Sequence, residues 1–186
     1  MKKLIKNGFV VDGSGEKRYK ADVLINGDKI EKIGTIDNVE GAEVIDATGK
    51  IVAPGFIDTH SHSDLKVLIE PFIEPKLRQG ITTEILGQDG ISMAPLPKEF
   101  VSSWRKNLAG LDGDSDLLAW DWETTDKYLD LIAKTGSGPN EMYLVPHGNI
   151  RMEAMGLEAR VATDEELAKM RDITRREMEA GAAGLS

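Results

Sequence analysis

Cysteine is absent from all 186 residues, which excludes a disulfide framework and any thiolate chemistry and suits a cytoplasmic protein. Basic residues are the minority, 23 against 32 acidic for a formal charge of −9, and no run of Lys or Arg could track a phosphate backbone. Nucleic acid and anionic membrane surfaces are therefore not expected as partners. Long apolar runs are missing too. The opening "MKKLIKNGF" starts like an export signal, but Lys6, Asn7 and Gly8 interrupt it, and no export or membrane-spanning segment follows. No repeat of solenoid period is present. What remains is a chain long enough to hide roughly 70% of its unfolded surface without staples. Its length suits one domain, or a small domain plus part of a larger one.

Residues 1 to 54 read as short strands divided by turn chemistry. "KLIKNGFVVDGSGEK" is an apolar run closed by a Gly-Ser-Gly turn. "ADVLINGDKIEKIG" predicts a hairpin at Asn26-Gly27, a pair tolerant of positive φ. "AEVIDATGKIVAPG" repeats the idea with Thr48-Gly49 as its turn. From residue 55 to 186 strands alternate with helices. "GFIDTHSH", "ITTEILG" and "EMYLVPHG" predict three strands, and "AGLS" begins a fourth. Helices are expected to end at Gly80, to follow Pro97 and to span "TTDKYLDLIAKTG". The clearest one is "ATDEELAKMRDITRREMEAG", where Thr163 and Glu166 form a capping box and Gly181 a stop. This order predicts βα units and a parallel sheet or barrel.

The chemistry concentrates in "GFIDTHSHSD". On a strand, His60 and His62 would point the same way, whereas on a helix they would lie about 200° apart. Paired imidazoles suit zinc and its first-row neighbours, and catalytic zinc typically takes three protein ligands and leaves one position open. A strand's C-terminal end is where parallel barrels place their chemistry. Two histidines alone are too few, so a third ligand is needed.

"VIDATGKIVAPGFIDTHSHSD" resembles the opening of the amidohydrolase superfamily, in which a small β domain leads through Pro-Gly to a barrel strand and a His-x-His. "KLRQGITTEILGQDGISMAP", "AWDWETTDKYLDLI", "NEMYLVPHGNIR" and "EELAKMRDITRREMEAGAAGLS" resemble its N-acyl-D-amino-acid deacylase (D-aminoacylase) branch. The resemblance implies an α/β fold: a portion of a β-sandwich over 1–54, then the first strands and helices of a metal-dependent (β/α)8 barrel over 55–186, reaching about the fourth strand. It implies hydrolysis of N-acylated D-amino acids, small-molecule substrates, by a zinc-activated water, with one or two divalent ions per intact site. Relatives use two later histidines and a late aspartate as general base. With only His60, His62 and His147 in the chain, those groups are expected beyond Ser186, and residues 1–186 alone are expected to be inactive.

Relatives commonly read Gly-Asn-Cys-Gly after the second strand, with the cysteine on metal. Here Gly87-Gln88-Asp89-Gly90 puts Asp89 at that position. Asp89 is therefore either the third metal ligand or a residue that ties up N–H groups in a tight turn. Asp58 and Asp64 flank the histidines and are candidates to orient an imidazole. His147 and Arg151, in "VPHGNIR", resemble a further family block and are expected near the site. "DGDSDLLAWDWE" spaces Asp112, Asp114, Asp116 and Glu123 as in a calcium loop, but Leu117 occupies the position that needs glycine, so an acidic surface loop over Trp120 and Trp122 is expected. "DGSGEK" is a turn and not a phosphate loop.

Two other readings share these residues. A cyclic-amide hydrolase of the dihydroorotase or hydantoinase type has the same entry motif. A non-catalytic fragment with open sheet edges and apolar helix faces would instead self-associate.

Overall fold

The computed structural model describes residues 1–186, which form two compact units, Met1–Pro54 and Gly55–Ser186. The first is one sheet. Strands β1 (Lys2–Val10), β2 (Tyr19–Asn26) and β3 (Lys29–Gly34) run antiparallel in sequence, and β4 (Ala42–Asp46) joins the other edge of β1 in parallel. The hairpin turn is centred one residue later than expected, on Gly27-Asp28, because Asn26 still pairs with Lys29. Thr48-Gly49 does turn, but no hairpin forms there. β5 (Ile51–Val52) continues along β1, also in parallel, pairing Phe9 with Ile51. β1 is bulged between Ile5 and Gly8, and the Asp22 carboxylate accepts the Asn7 N–H exposed there at 2.8 Å and that of Ile36 at 3.1 Å.

The second unit is a four-stranded, all-parallel sheet whose strands lie side by side in chain order: β6 (Phe56–Asp58), β7 (Ile81–Leu86), β8 (Asn140–Val145) and β9 (Gly184–Leu185). The connections carry α1 (Lys66–Ile69), α2 (Glu74–Leu77), α3 (Val101–Leu108), α4 (Thr125–Thr135), α5 (His147–Met155) and α6 (Asp164–Glu179). Parallel strands need such crossovers, and a crossover helix covers the face it crosses. Glu84, Leu86, Tyr143 and Val145 lie on the covered face and are buried, Leu86 and Tyr143 with Trp122, Tyr128, Met93 and Leu108, and Val145 with Ile150 and Ile173. Residues of opposite parity, among them Ile57 and Met142, are exposed on the other face.

α6 begins at the expected capping box, with both reciprocal bonds between Thr163 and Glu166 present. Two helices escape the sequence pattern. α1 is a single turn, and α5 starts directly after Pro146, so His147 opens a helix and does not end a strand. No helix is long and apolar enough to cross a membrane.

Candidate metal centre

The strand before the histidines stops at Asp58, so His60 and His62 sit in the loop beyond it and not on the strand itself. The alternation of side chains nevertheless continues. Ser61 and Ser63 are buried, and Ser61 Oγ donates to Glu84 Oε2 at 2.9 Å. His60 and His62 turn instead to Asp89, with both Nε2 atoms close to its Oδ2, at 3.2 and 3.1 Å. The serine between the histidines thus ties the loop down while its neighbours project away.

Behind Ser61 lies a half-buried cation. Lys76, from α2, places Nζ 2.6 Å from Ser61 Oγ and 2.9 Å from both Asp58 Oδ2 and Glu84 Oε1. Asp58 also accepts the His60 backbone N–H at 3.2 Å. Asp58 therefore holds the histidine loop through its backbone and Lys76, and the Lys76 ammonium holds its carboxyl below the usual range.

Asp89 lies in a 3-10 turn, Gln88–Gly90, with left-handed backbone at φ 58°. Aspartate tolerates that region better than most residues. Its carboxylate is engaged by the imidazoles, and the hydrogen bond from His60, ahead of that from His62, holds its pKa low. Neighbours grip the turn from several sides. Gly87 (φ 78°) approaches β8 so closely that a Cβ there would fall 2.0 Å from Leu144 O. Gln88 Nε2 donates to Thr59 O at 3.0 Å and Ile85 O at 2.9 Å, lacing the turn to the histidine loop. Ser186 Oγ donates to Gly87 O at 2.5 Å. At Gly148, on α5, a Cβ would meet Gly90 O at 2.5 Å.

Asp64 is fully buried, its Oδ1 accepting the Gly87 N–H at 2.8 Å and the Ser92 hydroxyl, and burial raises its pKa. Its role as seen is to join the loop after β6 to the segment after β7. His147 is exposed at the first position of α5, its backbone N–H donating to Ser186 O at 3.0 Å. That places it on the same end of the sheet as the Asp89 turn. Arg151 is turned to other work, donating to the carbonyls of Glu158 at 3.0 Å and Arg160 at 2.5 Å.

The acidic surface loop expected at 112–123 is present, with Asp114 and Asp116 exposed and Trp120 and Trp122 buried, and only Asp112 departs from it. Asp114 and Asp116 pair with Arg105 at 2.7 and 2.6 Å, and that guanidinium stacks over Trp120. Asp112 is buried, with Oδ1 3.4 Å from His62 Nδ1. Burial, with Asp64 nearby as the lesser cause, pushes its carboxyl up to about 7. The sequence carries no local sign of this contact, because the two residues are joined only by the fold.

His60, His62 and Asp89 each offer one ligand atom, and these atoms lie within 4.8 Å of one another. In a tetrahedral zinc site with bonds of about 2.0–2.2 Å, ligand atoms lie about 3.3–3.6 Å apart. The spacings of 3.2 and 3.1 Å to Asp89 Oδ2 come close to such an edge. Two imidazoles and one carboxylate form a donor set suited to zinc, so the residues fit the ion.

An open parallel β/α sheet with paired histidines and a carboxylate beyond its strand ends is an α/β architecture with donors able to hold a metal ion. Residues 43–186 match the model of the amidohydrolase family, and the chain belongs to that family. It is 36% identical over 183 residues to a D-aminoacylase of Alcaligenes xylosoxydans xylosoxydans, covering 98% of this chain and 37% of the relative. An N-acyl-D-glutamate deacylase of the same organism is 39% identical over 183 residues, covering 98% of this chain and 36% of the relative. Among solved structures, the N-acyl-D-glutamate deacylase of Bordetella bronchiseptica, complexed with zinc and a phosphonate mimic of the tetrahedral intermediate, superposes with a TM-score of 0.86 at 33% identity. That superposition covers 98% of this chain and 37% of the other. The chain thus spans little more than a third of the length of the relatives it matches.

Proposed function

We propose that residues 1–186 provide the first metal ligands of an N-acyl-D-amino-acid deacylase. In this reading, 1–54 contribute to a β-sandwich and 55–186 form the opening strands and helices of a (β/α)8 barrel. His60, His62 and Asp89 hold a zinc ion, alone or as one of a pair. The supporting observation is the convergence of both Nε2 atoms on one Asp89 oxygen, in a chain alignable to deacylases over 98% of its length.

Bound there, zinc would lower the pKa of water and polarise the scissile carbonyl. The chain's own residues have simpler tasks. The two imidazoles and the carboxylate orient the ion, Lys76 and Asp58 fix the histidine loop, and Gln88 and Asp64 fix its distance from Asp89. A general base, the other ligands used by relatives and the groups that would recognise the acyl chain are proposed to come from elsewhere in the enzyme. The same incompleteness implies that 1–186 do not turn over substrate alone, and that the exposed apolar sheet face around Ile57 and Met142 favours self-association.

Assay of an enzyme containing this chain against paired N-acyl-D- and N-acyl-L-amino acids tests the reading. Hydrolysis confined to the D-series is expected, abolished by His60→Ala or His62→Ala. Equal rates on both enantiomers, or hydrolysis of cyclic amides alone, would contradict it.

A further inference from the structure

Four buried side-chain atoms behind His62 have no hydrogen-bond partner: His62 Nδ1, Asp64 Oδ2 and both oxygens of Asp112. A carboxyl group buried without a partner is costly and rare, yet the chain delivers Asp112 here deliberately. Its N–H bonds to Leu108 O at 3.0 Å at the end of α3, and Leu108 is fully buried in the core. The group facing it, at 3.4 Å, is His62 Nδ1.

We propose that Asp112 is a positioning residue for His62, its carboxyl group accepting the Nδ1–H so that Nε2 is presented to the ion. The inference rests on the metal site proposed above. A neutral imidazole carries one proton, so a hydrogen bond fixed at one nitrogen decides which other nitrogen is free to bind metal. Carboxylates commonly do this for metal-bound histidines, and their loss typically costs 10- to 100-fold in metal affinity. His62, Asp64 and Asp112 also meet the spacing of a cation cluster. A second ion on Nδ1 would require an imidazole stripped of both protons, so a shared hydrogen bond is the simpler occupant. Asp64 does not compete: Gly87 and Ser92 hold its Oδ1, and its free Oδ2 makes no ion-pair contact with His62, whereas Asp112 Oδ1 lies 3.4 Å from Nδ1.

The test compares the 186-residue chain with Asp112→Leu and Asp112→Asn by calorimetric zinc titration, urea unfolding and nitrogen-15 NMR of the His62 ring. Leucine should weaken zinc binding about 10- to 100-fold without lowering the unfolding midpoint, because an apolar group replaces an unpartnered buried acid. A residue that served only packing would move both together. Asparagine keeps a carbonyl acceptor and should remain within about threefold of wild type. The zinc-loaded wild type should carry its His62 proton on Nδ1. Wild-type affinity in Asp112→Leu, a folded Asp112→Asn that loses zinc as severely as leucine, or a His62 proton on Nε2 would overturn the proposal. If the wild type binds no zinc, the metal reading falls. The proposal falls with it, because without an ion Asp89 Oδ2 faces His62 Nε2 at 3.1 Å and no ligand remains for Asp112 to orient.

Discussion

Ser61 Oγ donates to Glu84 Oε2 at 2.9 Å, so the residue between the two histidines is anchored to the middle of the neighbouring strand. Lys76 bridges the same pair, and Asp58 completes the network. Removing one partner of a buried ion pair typically costs about 3–5 kcal/mol, whereas replacing both with apolar groups is often neutral. Since Lys76 is partly exposed, we expect about 2–3 kcal/mol for Glu84→Leu and for Lys76→Met. The double variant should lose less than the sum. Urea unfolding of the four chains measures this coupling, and strict additivity would show that the network does not act as a unit.

The Asp89 turn separates backbone strain from metal binding. Asp89→Gly relieves the left-handed backbone and should leave stability unchanged or raised, while zinc affinity falls by at least about tenfold, the scale of a lost metal contact. Asp89→Cys should move preference toward zinc over manganese, because thiolate is the softer donor. Competition titrations with the two ions read both effects, and unchanged affinity in both variants would leave Asp89 as a turn residue only.

At Gly87 the backbone itself is the constraint. Gly87→Ala combines a positive φ with a contact 2.0 Å from Leu144 O, and should cost about 3 kcal/mol or more by forcing β7 and β8 apart. Gly113→Ala has a positive φ but meets only Leu65 Cδ2 at 3.7 Å, so about 1 kcal/mol is expected. Thermal unfolding distinguishes them, and equal losses would argue against the close approach.

Glu141 gives the fold a pH dependence of defined sign. Burial, and then the neighbouring Glu84, push its carboxyl up to about 7, against the lowering bond from Ser137. A carboxyl raised in the folded state binds more protons there than when unfolded, so its contribution is full below its ordinary pKa of 4.5 and is lost as pH rises through about 7. Glu141→Gln should therefore gain stability relative to wild type between pH 5 and pH 8. Parallel pH profiles of the two chains would contradict the assignment.

Much of the fold is legible because its signals are local. Thr163 and Glu166 announce α6, and the β-branched run in "ITTEILG" announces β7. α5 is hidden because Pro146 and Gly148 look like loop residues, and because packing of Gly148 against Gly90 is a long-range matter. Thr48-Gly49 shows a turn, but turn chemistry does not fix which strand β5 will pair with. The site divides in the same way. His60, His62 and Asp89 are found by spacing and family pattern, while Gln88, Lys76 and Ser186 act through contacts that no window of sequence contains. Asp112 was disguised by its spacing to Asp114 and Asp116, which answer to Arg105.

The proposed metal ion is held by His60, His62 and Asp89. Anomalous diffraction at the zinc edge from zinc-soaked crystals tests it most directly. We expect one peak within about 2.0–2.2 Å of His60 Nε2, His62 Nε2 and an Asp89 carboxylate oxygen. Density elsewhere, or none at these three residues under saturating zinc, would contradict the account.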